Sequence, residues 1–492
     1  MTRASASVDQ SSAATSVPKR ELNDPLESLR RFLDTLDMKK KVGPAAFAEF
    51  ERELHERVMA VERDVLASEM KKLDVDAEAV VIDGRVHRRV LRQSQTYMTS
   101  AGEVVVERVL YKDRTDKEGR CVSPLELTLG IIGDFWTPRA AQQALWVVTQ
   151  MTPKKSEELF KRIGNMGPSK SSLDRLPKLI SQRWEGDREV FEAELRSAFQ
   201  VPAEAVSIVV SLDGVFAPLE AGTEVTRRRA DAASEGRQTQ GPLGFREVGC
   251  GTVSFCDENG DLLAAVRMAR SPERKKPTLK GMLAREVEAA LRERPDLRLV
   301  KLADAGSDNW EFLSEQLPPG EEAVDFFHAT ERLHAAIAAA YGDGSHETQY
   351  RYNTLREKLR DKPKGADSVI RALKHLAKTH RRKVIDHALE YFRKHRKRMR
   401  YAELKAQGLP IGSGPVEAAC KTLVSQRMKN SGMRWSSAGA QAILTPRGWD
   451  QSERFDEAWA LIAATFHTEV TLMANVIALR RSPPKRGRKP SR

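Results

Sequence analysis

Residues Val206–Leu212 read VSIVVSL, a continuous apolar and β-branched run that stops at Asp213-Gly214. A run of this kind without polar alternation is a buried strand. The residues after it set its context. Two further strands are expected at Glu247–Cys256 and Leu262–Met268, joined at Asn259-Gly260, a dipeptide suited to a two-residue hairpin turn. Helical periodicity over Thr278–Arg294 leads to a strand at Leu297–Leu302, which ends near Asp304. A short helix follows at Asn309–Leu317, capped by Ser307 or Asp308, and then a strand at Ala323–Phe327 runs into a helix at Thr330. The order β-β-β-α-β-α-β defines a mixed α+β domain in which the first and fourth strands can be neighbours. The polar stretch after Asp213, with Arg227, Arg228 and Arg229 and a Gly/Gln-rich continuation, reads as a mobile loop.

The flanks differ in character. Residues 1–20 are rich in Ser and Ala and are expected to be disordered. From Pro25 to Leu73 two apolar stripes recur at helical spacing, Leu29, Phe32, Leu33 and Leu36, then Phe47, Phe50, Leu54, Val58 and Val61. Arg85–Asp113 changes to a strand pattern around Ser100-Ala101-Gly102 and predicts a β-hairpin. Thr137–Trp184 predicts three helices, Ala140–Met151, Lys155–Ile163 and Ser169–Trp184, with a turn at Gly164–Gly167. Because the last carries Lys170, Arg175, Lys178 and Arg183, the unit reads either as a helix-turn-helix that binds DNA or as an ordinary three-helix unit. The tail Pro483–Arg492 is basic, and its Arg486-Gly487-Arg488 between prolines is similar to an AT-hook, a minor-groove reader.

Charge points to a partner. The chain has 82 Lys and Arg against 69 Asp and Glu, a net +13. Arg351–Arg400 alone holds 18 basic and 5 acidic residues, and 18 − 5 = 13 accounts for the whole excess. So local a surplus suits a polyanion, most simply nucleic acid, although a solvated helical face would also carry it. Cys121, Cys250, Cys256 and Cys420 form no Cys-x-x-Cys pair, which argues against a zinc ribbon or redox motif. No apolar run approaches membrane-span length and no signal-peptide core is present, so a soluble cytoplasmic protein is expected.

Three acids stand where chemistry could gather. Asp213 follows the first strand, Asp304 lies 304 − 213 = 91 residues on, and Glu417 lies 417 − 304 = 113 further. Glu417 belongs to Ile411–Trp435, where Gly412-Ser413-Gly414 precedes Pro415 at a first helical position and Glu417 and Lys421 share a face. Arg427 and Lys429 continue the basic track. Each acid alone has a bland reading: Asp213-Gly214 as a turn, Asp304 as a loop residue, Glu417 as a helix cap. Together, three carboxylates at one point repel unless divalent cations neutralise them. Oxygen donors suit Mg²⁺ or Mn²⁺, and two ions about 4 Å apart serve in-line phosphodiester displacement.

These residues carry a resemblance. SLDG at Ser211–Gly214, LADAG at Leu302–Gly306, DFFHATERL at Asp325–Leu333, RMRYAEL at Arg398–Leu404 and IGSGPVEAACKTLVSQRMKNSGMRWS at Ile411–Ser436 are similar to DDE-type insertion-sequence transposases. The likeness is strongest to the Kra group related to Mutator-like transposases, and it spans about Gly84 to Leu461. It implies a ribonuclease-H-like catalytic domain formed by 200–330 and 411–470, a basic helical insertion at 331–410 and an N-terminal DNA-binding region at 21–185; the tails at 1–20 and 480–492 lie outside the resemblance. It further implies Asp213, Asp304 and Glu417 as catalytic acids holding two Mg²⁺ or Mn²⁺ ions, with Asp308 the alternative second acid. Asp325 and His328 match an Asp-x-x-His element in a supporting role. Lys421, Arg427, Lys429, Arg434 and Trp435 match positions expected to contact DNA through phosphates or stacking. Relatives with paired cysteines after the hairpin differ from this chain, where Cys121 stands alone, so no zinc is expected there. The implied activity is cleavage of double-stranded DNA at inverted repeats followed by strand transfer, by a homodimer or larger assembly associated with the bacterial nucleoid. A DNA-binding regulator without catalysis and a nuclease of the same fold are the competing expectations.

Overall fold

A computed structural model of the chain describes residues 24–37, 43–116, 118–219, 222–236, 244–304, 306–429 and 433–472. The expected tails at 1–20 and 480–492, with Arg486-Gly487-Arg488, lie outside these residues.

The first described segments follow helix grammar. Asp24 caps α1 (Pro25–Asp34) by accepting from the Leu26 N–H at 2.9 Å, and Pro25 takes the first turn, where its missing N–H costs nothing. α2 (Pro44–Lys72) packs against it through Phe32 and Phe50, stacked at 6.0 Å. The hairpin forms as β2 (Arg85–Thr99) and β3 (Gly102–Asp113), and Gly102 takes the turn's positive φ of 113°. A strand not foreseen from the sequence, β1 (Ala79–Ile82), pairs with β2.

After α3 (Pro124–Leu129), the three predicted helices occur as α4 (Pro138–Gln150), α5 (Pro153–Ile163) and α6 (Lys170–Gly186). Thr152 and Ser169 cap the latter two, accepting from Lys155 N–H at 3.3 Å and Ser172 N–H at 3.2 Å. α7 (Arg188–Ala198) leads into the main sheet.

That sheet contains β4 (Ser207–Pro218), β5 (Phe245–Cys256), β6 (Leu262–Arg270), β7 (Arg298–Ala303) and β8 (Glu321–Val324), in the spatial order β6-β5-β4-β7-β8. β4, β5 and β6 run antiparallel, whereas β7 and β8 add to β4 in parallel. α8 (Gly222–Ser234) occupies part of the stretch expected to be loop; its Gly/Gln-rich continuation at 237–243 lies outside the described residues. The crossovers are α9 (Pro277–Glu293) and α10 (Ser307–Glu315). β4 also overruns the expected end: it continues through Asp213 to Pro218 because β5 pairs with it to Phe245. β8 stops before Asp325, which caps the next helix instead of belonging to a strand.

α11 (Phe326–Tyr341), α12 (His346–Asp361), α13 (Gly365–His380), α14 (Lys383–His395) and the short α15 (Tyr401–Lys405) form a helical body between β8 and the Glu417 segment. It shares a core with the sheet: Val369, Leu373 and Phe392 belong to the same apolar cluster as Ile208, Val210 and Phe255. Its cations sit outside, with Arg371, Lys374, Lys378, Arg381, Arg382 and Lys383 exposed. The chain leaves this body at Gly408, which has φ +69°, and a Cβ there would stand 2.0 Å from the Glu258 carbonyl oxygen in the β5–β6 turn. Gly408→Ala should therefore destabilise the fold by about 3 kcal/mol in a urea melt, combining backbone strain with a backbone clash.

The Glu417 segment is α16 (Gly414–Ala419), a π-helical turn (Cys420–Ser425) and α17 (Gln426–Met428), one rod laid against β4 and β5 through Val416, Leu423 and Val424. α18 (Ser437–Gln451) and α19 (Phe455–Ala464) then return to the N-terminal helices, where Trp449 meets Trp184 at 4.5 Å. The α4–α6 unit thus shares its core with the chain's far end. β9 (Val470–Leu472) pairs antiparallel with β1 and completes the smaller sheet, β3-β2-β1-β9.

Candidate active site

Strand register gathers three acids on one edge of the sheet. β4 and β7 pair at a constant offset, Ser207 with Arg298, 298 − 207 = 91. Asp213 and Asp304 differ by the same 91, so continuing the register sets them level at the point where β7 ends. β7 and β8 pair Val300 with Glu321, 321 − 300 = 21, and Asp304 and Asp325 again keep that offset, 325 − 304 = 21. The Asp325 N–H donates to the Ala303 carbonyl at 2.9 Å, which extends the ladder to this level. Level residues on neighbouring parallel strands project from the same face.

Local hydrogen bonds hold each acid. Asp304 Oδ1 accepts from the Gly306 N–H at 3.0 Å and from Asn309 Nδ2 at 3.1 Å, leaving Oδ2 uncommitted among the described residues. Asp213 is half-buried; burial pushes its carboxyl above the ordinary range and the Asp304 charge adds to this, while the Gly214 N–H and Lys276 oppose it. The Cys420 thiol donates to Asp213 Oδ2 at 3.8 Å, tying the Glu417 rod to β4. Asp308, the alternative second acid, is engaged elsewhere, in an ion pair with Lys280 at 2.8 Å.

Asp325 is fully buried and accepts from His328 N–H at 2.7 Å, from His328 Nδ1 at 3.1 Å and from the Ser413 N–H. Burial pushes its carboxyl up, but these hydrogen bonds prevail and hold it below the usual carboxylate range. The hydrogen bond to Asp325 raises His328 to about 9 against the opposing effect of burial, so the imidazole is charged at neutral pH. Glu417 is exposed in the first turn of α16 and accepts from Ser413 Oγ at 3.0 Å. Ser413 therefore bridges Asp325 and Glu417, its N–H on one and its hydroxyl on the other.

Among the described residues, Asp325, His328 and Glu417 are the group whose ligand atoms lie within 4.8 Å of one another. Asp213, Asp304 and Glu417, predicted as a cluster, do not form such a group, although Asp213 feels Asp304 and His328 electrostatically and His328 feels Glu417. The donor set is mainly carboxylate oxygen, as hard divalent cations require. Asp325 has three N–H donors on its two oxygens, and His328 meets that carboxylate through Nδ1 rather than Nε2. This is the outer carboxylate–histidine arrangement that orients a ligand. To ligate a metal His328 would first release its proton; charged, it can answer a phosphate.

The expected DNA-contacting residues separate into two groups. Lys421, Lys429 and Arg434 are exposed. Arg427 is not a surface cation: it is 3% exposed, donates to the Val148 carbonyl at 3.3 Å, and lies over Trp435 at 5.0 Å. Burial lowers it to about 10, with Arg447 adding to the shift. Trp435 is half-buried, its indole N–H bonded to the Met428 carbonyl at 3.2 Å. Sequence reasoning missed the parts played by Asn309, Ser413, Cys420 and Lys276. Ser413 left no capping signal either, since a capping box sets its acid three residues after the hydroxyl and Glu417 stands four after Ser413.

No family model matches the chain, and no curated protein matches it. Among solved structures, the Drosophila P element transposase strand transfer complex aligns at a TM-score of 0.24 and 11% identity, covering 67% of this chain and 81% of that one. That degree of likeness is too low to define a shared fold. No described helix is long and apolar enough to cross a membrane.

Proposed function

We propose that the protein is a DDE-type DNA transposase with a ribonuclease-H-like catalytic domain, cutting and joining DNA at the ends of an insertion sequence. What supports this reading is that Asp304 directly follows β7, which pairs in parallel with β4 at the same 91-residue offset that separates Asp213 from Asp304, with the Glu417 rod tied to β4 through Cys420. Asp213, Asp304 and Glu417 would hold two Mg²⁺ or Mn²⁺ ions, and Asp325 would orient His328 toward the same point. Bound there, the ions supply charge neutralisation and activation of the attacking oxygen. The chain's own residues do the rest. Asn309 and Ser413 fix the directions of Asp304 and Glu417. Lys421, Lys429 and Arg434 extend a cationic track past Glu417 for the phosphate backbone, and the exposed cations of α13 and α14 would hold flanking or target DNA. The α4–α6 unit would engage the element end, and a dimer or larger assembly would pair two ends.

The test is a labelled duplex carrying the element's ends, incubated with Mg²⁺ and either wild type or Glu417→Gln. Cutting and joining by wild type, with binding but no reaction by the variant, supports the reading. Cutting without joining favours a nuclease of the same fold. Binding by both with no reaction in Mg²⁺ or Mn²⁺ favours a DNA-binding regulator.

A further inference from the structure

Glu417 sits at the start of a rod whose middle is not an α-helix. Cys420–Ser425 forms a π turn, and such turns appear mostly as single insertions near functional positions. A widened turn needs something to hold it, because its carbonyls leave the ordinary ladder. Here the holder is Arg447 on α18, which is 4% exposed. Its Nε donates to the Leu423 carbonyl at 3.0 Å and its Nη2 to the Thr422 carbonyl, both within the π turn. Its Nη1 donates to the Thr149 carbonyl at 2.7 Å, at the end of α4, where the helix presents unpaired carbonyls and the negative end of its dipole. Burial lowers the Arg447 guanidinium from its ordinary value, yet it remains charged at any working pH.

α18 is itself pinned to α4. Asp450, three residues after Arg447, accepts from Trp146 Nε1 at 2.9 Å and from Gln150 Nε2 at 2.8 Å. One guanidinium fork thus joins a fixed support to the turn between Glu417 and the buried end of the rod. The same turn begins at Cys420, which touches Asp213.

We propose that Arg447 is a positioning residue for Glu417, holding the π turn open so that the glutamate and the Cys420–Asp213 contact keep their relation to the sheet edge. The proposal rests on reading Glu417 as a metal ligand. A lysine at 447 keeps the charge but presents a single nitrogen, which cannot serve three carbonyls from one plane.

The experiment uses the full chain and Mn²⁺ alone, followed by the electron spin resonance of free Mn²⁺, together with amide hydrogen exchange over 417–425. Arg447→Lys should bind Mn²⁺ about ten-fold more weakly, the scale on which outer partners tune metal sites, and should lose protection in those amides. Leu373→Ala, in the core of α13, serves as a control for lost stability, since Leu373 is fully buried away from the rod. If Leu373→Ala with a comparable fall in Tm weakens Mn²⁺ as much, or if Arg447→Lys binds Mn²⁺ as wild type does, the proposal is overturned. If wild type binds no Mn²⁺, the metal reading of Glu417 and this proposal fall together. If wild type binds Mn²⁺ but never cuts DNA, the transposase reading fails while the Arg447 effect on Mn²⁺ still stands or falls by itself.

Discussion

On the proposed transposase reading, Asp304→Asn should lower Mg²⁺-dependent DNA cutting by about a thousand-fold while leaving DNA binding and the thermal melt nearly unchanged. The substitution keeps the shape and the acceptor that Gly306 and Asn309 use, so the loop after β7 should persist. What it removes is one negative charge that acts on Asp213 across the β4–β7 pair. A metal-assisted displacement draws several kcal/mol from that charge, and about 4 kcal/mol corresponds to three orders of magnitude in rate. Asp308→Asn is the matched comparison. Asp308 is spent on the buried Lys280, so losing that carboxylate should cost about 1–3 kcal/mol of stability and spare the reaction. Gel assays of cutting by the two variants decide which acid serves; retained activity in Asp304→Asn and lost activity in Asp308→Asn would reverse the assignment.

Asp325→Ala should be the most damaging single change to the fold among the site residues, at about 3–5 kcal/mol by chemical denaturation. The carboxylate is fully buried, caps α11 and accepts from both His328 and Ser413, so its loss leaves buried donors unpaired and a charged imidazole uncompensated. The pair also gives stability a pH signature, best read in chelator. His328 has its value raised, so its contribution is complete below about 6.5 and fades as pH rises through about 9. Asp325 has its value lowered, so its contribution is complete above about 4 and fades as pH falls below that. Wild type should therefore lose stability between about pH 6.5 and 9, and Asp325→Ala should not. An identical slope in both proteins would show that the pair is not the source.

How far the sequence led depended on where the determining forces lie. Apolar runs and the Asn259-Gly260 turn announced the main strands, because burial and turn chemistry are local signals. The equal 91-residue offset of Asp213 and Asp304 was visible too, although only pairing gives it meaning. β4 overran its expected end because cross-strand bonding to β5, not the Asp213-Gly214 dipeptide, decides where it stops. β1 is too short for a clear pattern and depends on a distant partner, Val80 facing Leu472, 472 − 80 = 392 residues on. Arg427 looked like a surface cation because composition cannot show that Trp435 and the end of α4 enclose it. The π turn left no trace in residue spacing, since its support, Arg447, lies outside the motif.

The return of the chain's end to its beginning has a consequence for synthesis. The N-terminal half emerges first, yet β1 has an open edge until β9 is made, and the α4–α6 core lacks Trp449 and Trp459 until α18 and α19 exist. At about 5–20 residues per second, the interval between Ile82 and Val470 is roughly 20–80 s. During that time a ribosome-bound chain carries a half-finished apolar surface. A message cut short before α18 would yield a product that cannot close its first domain. Quality control, which removes chains with persistently exposed apolar surface, would then clear such fragments.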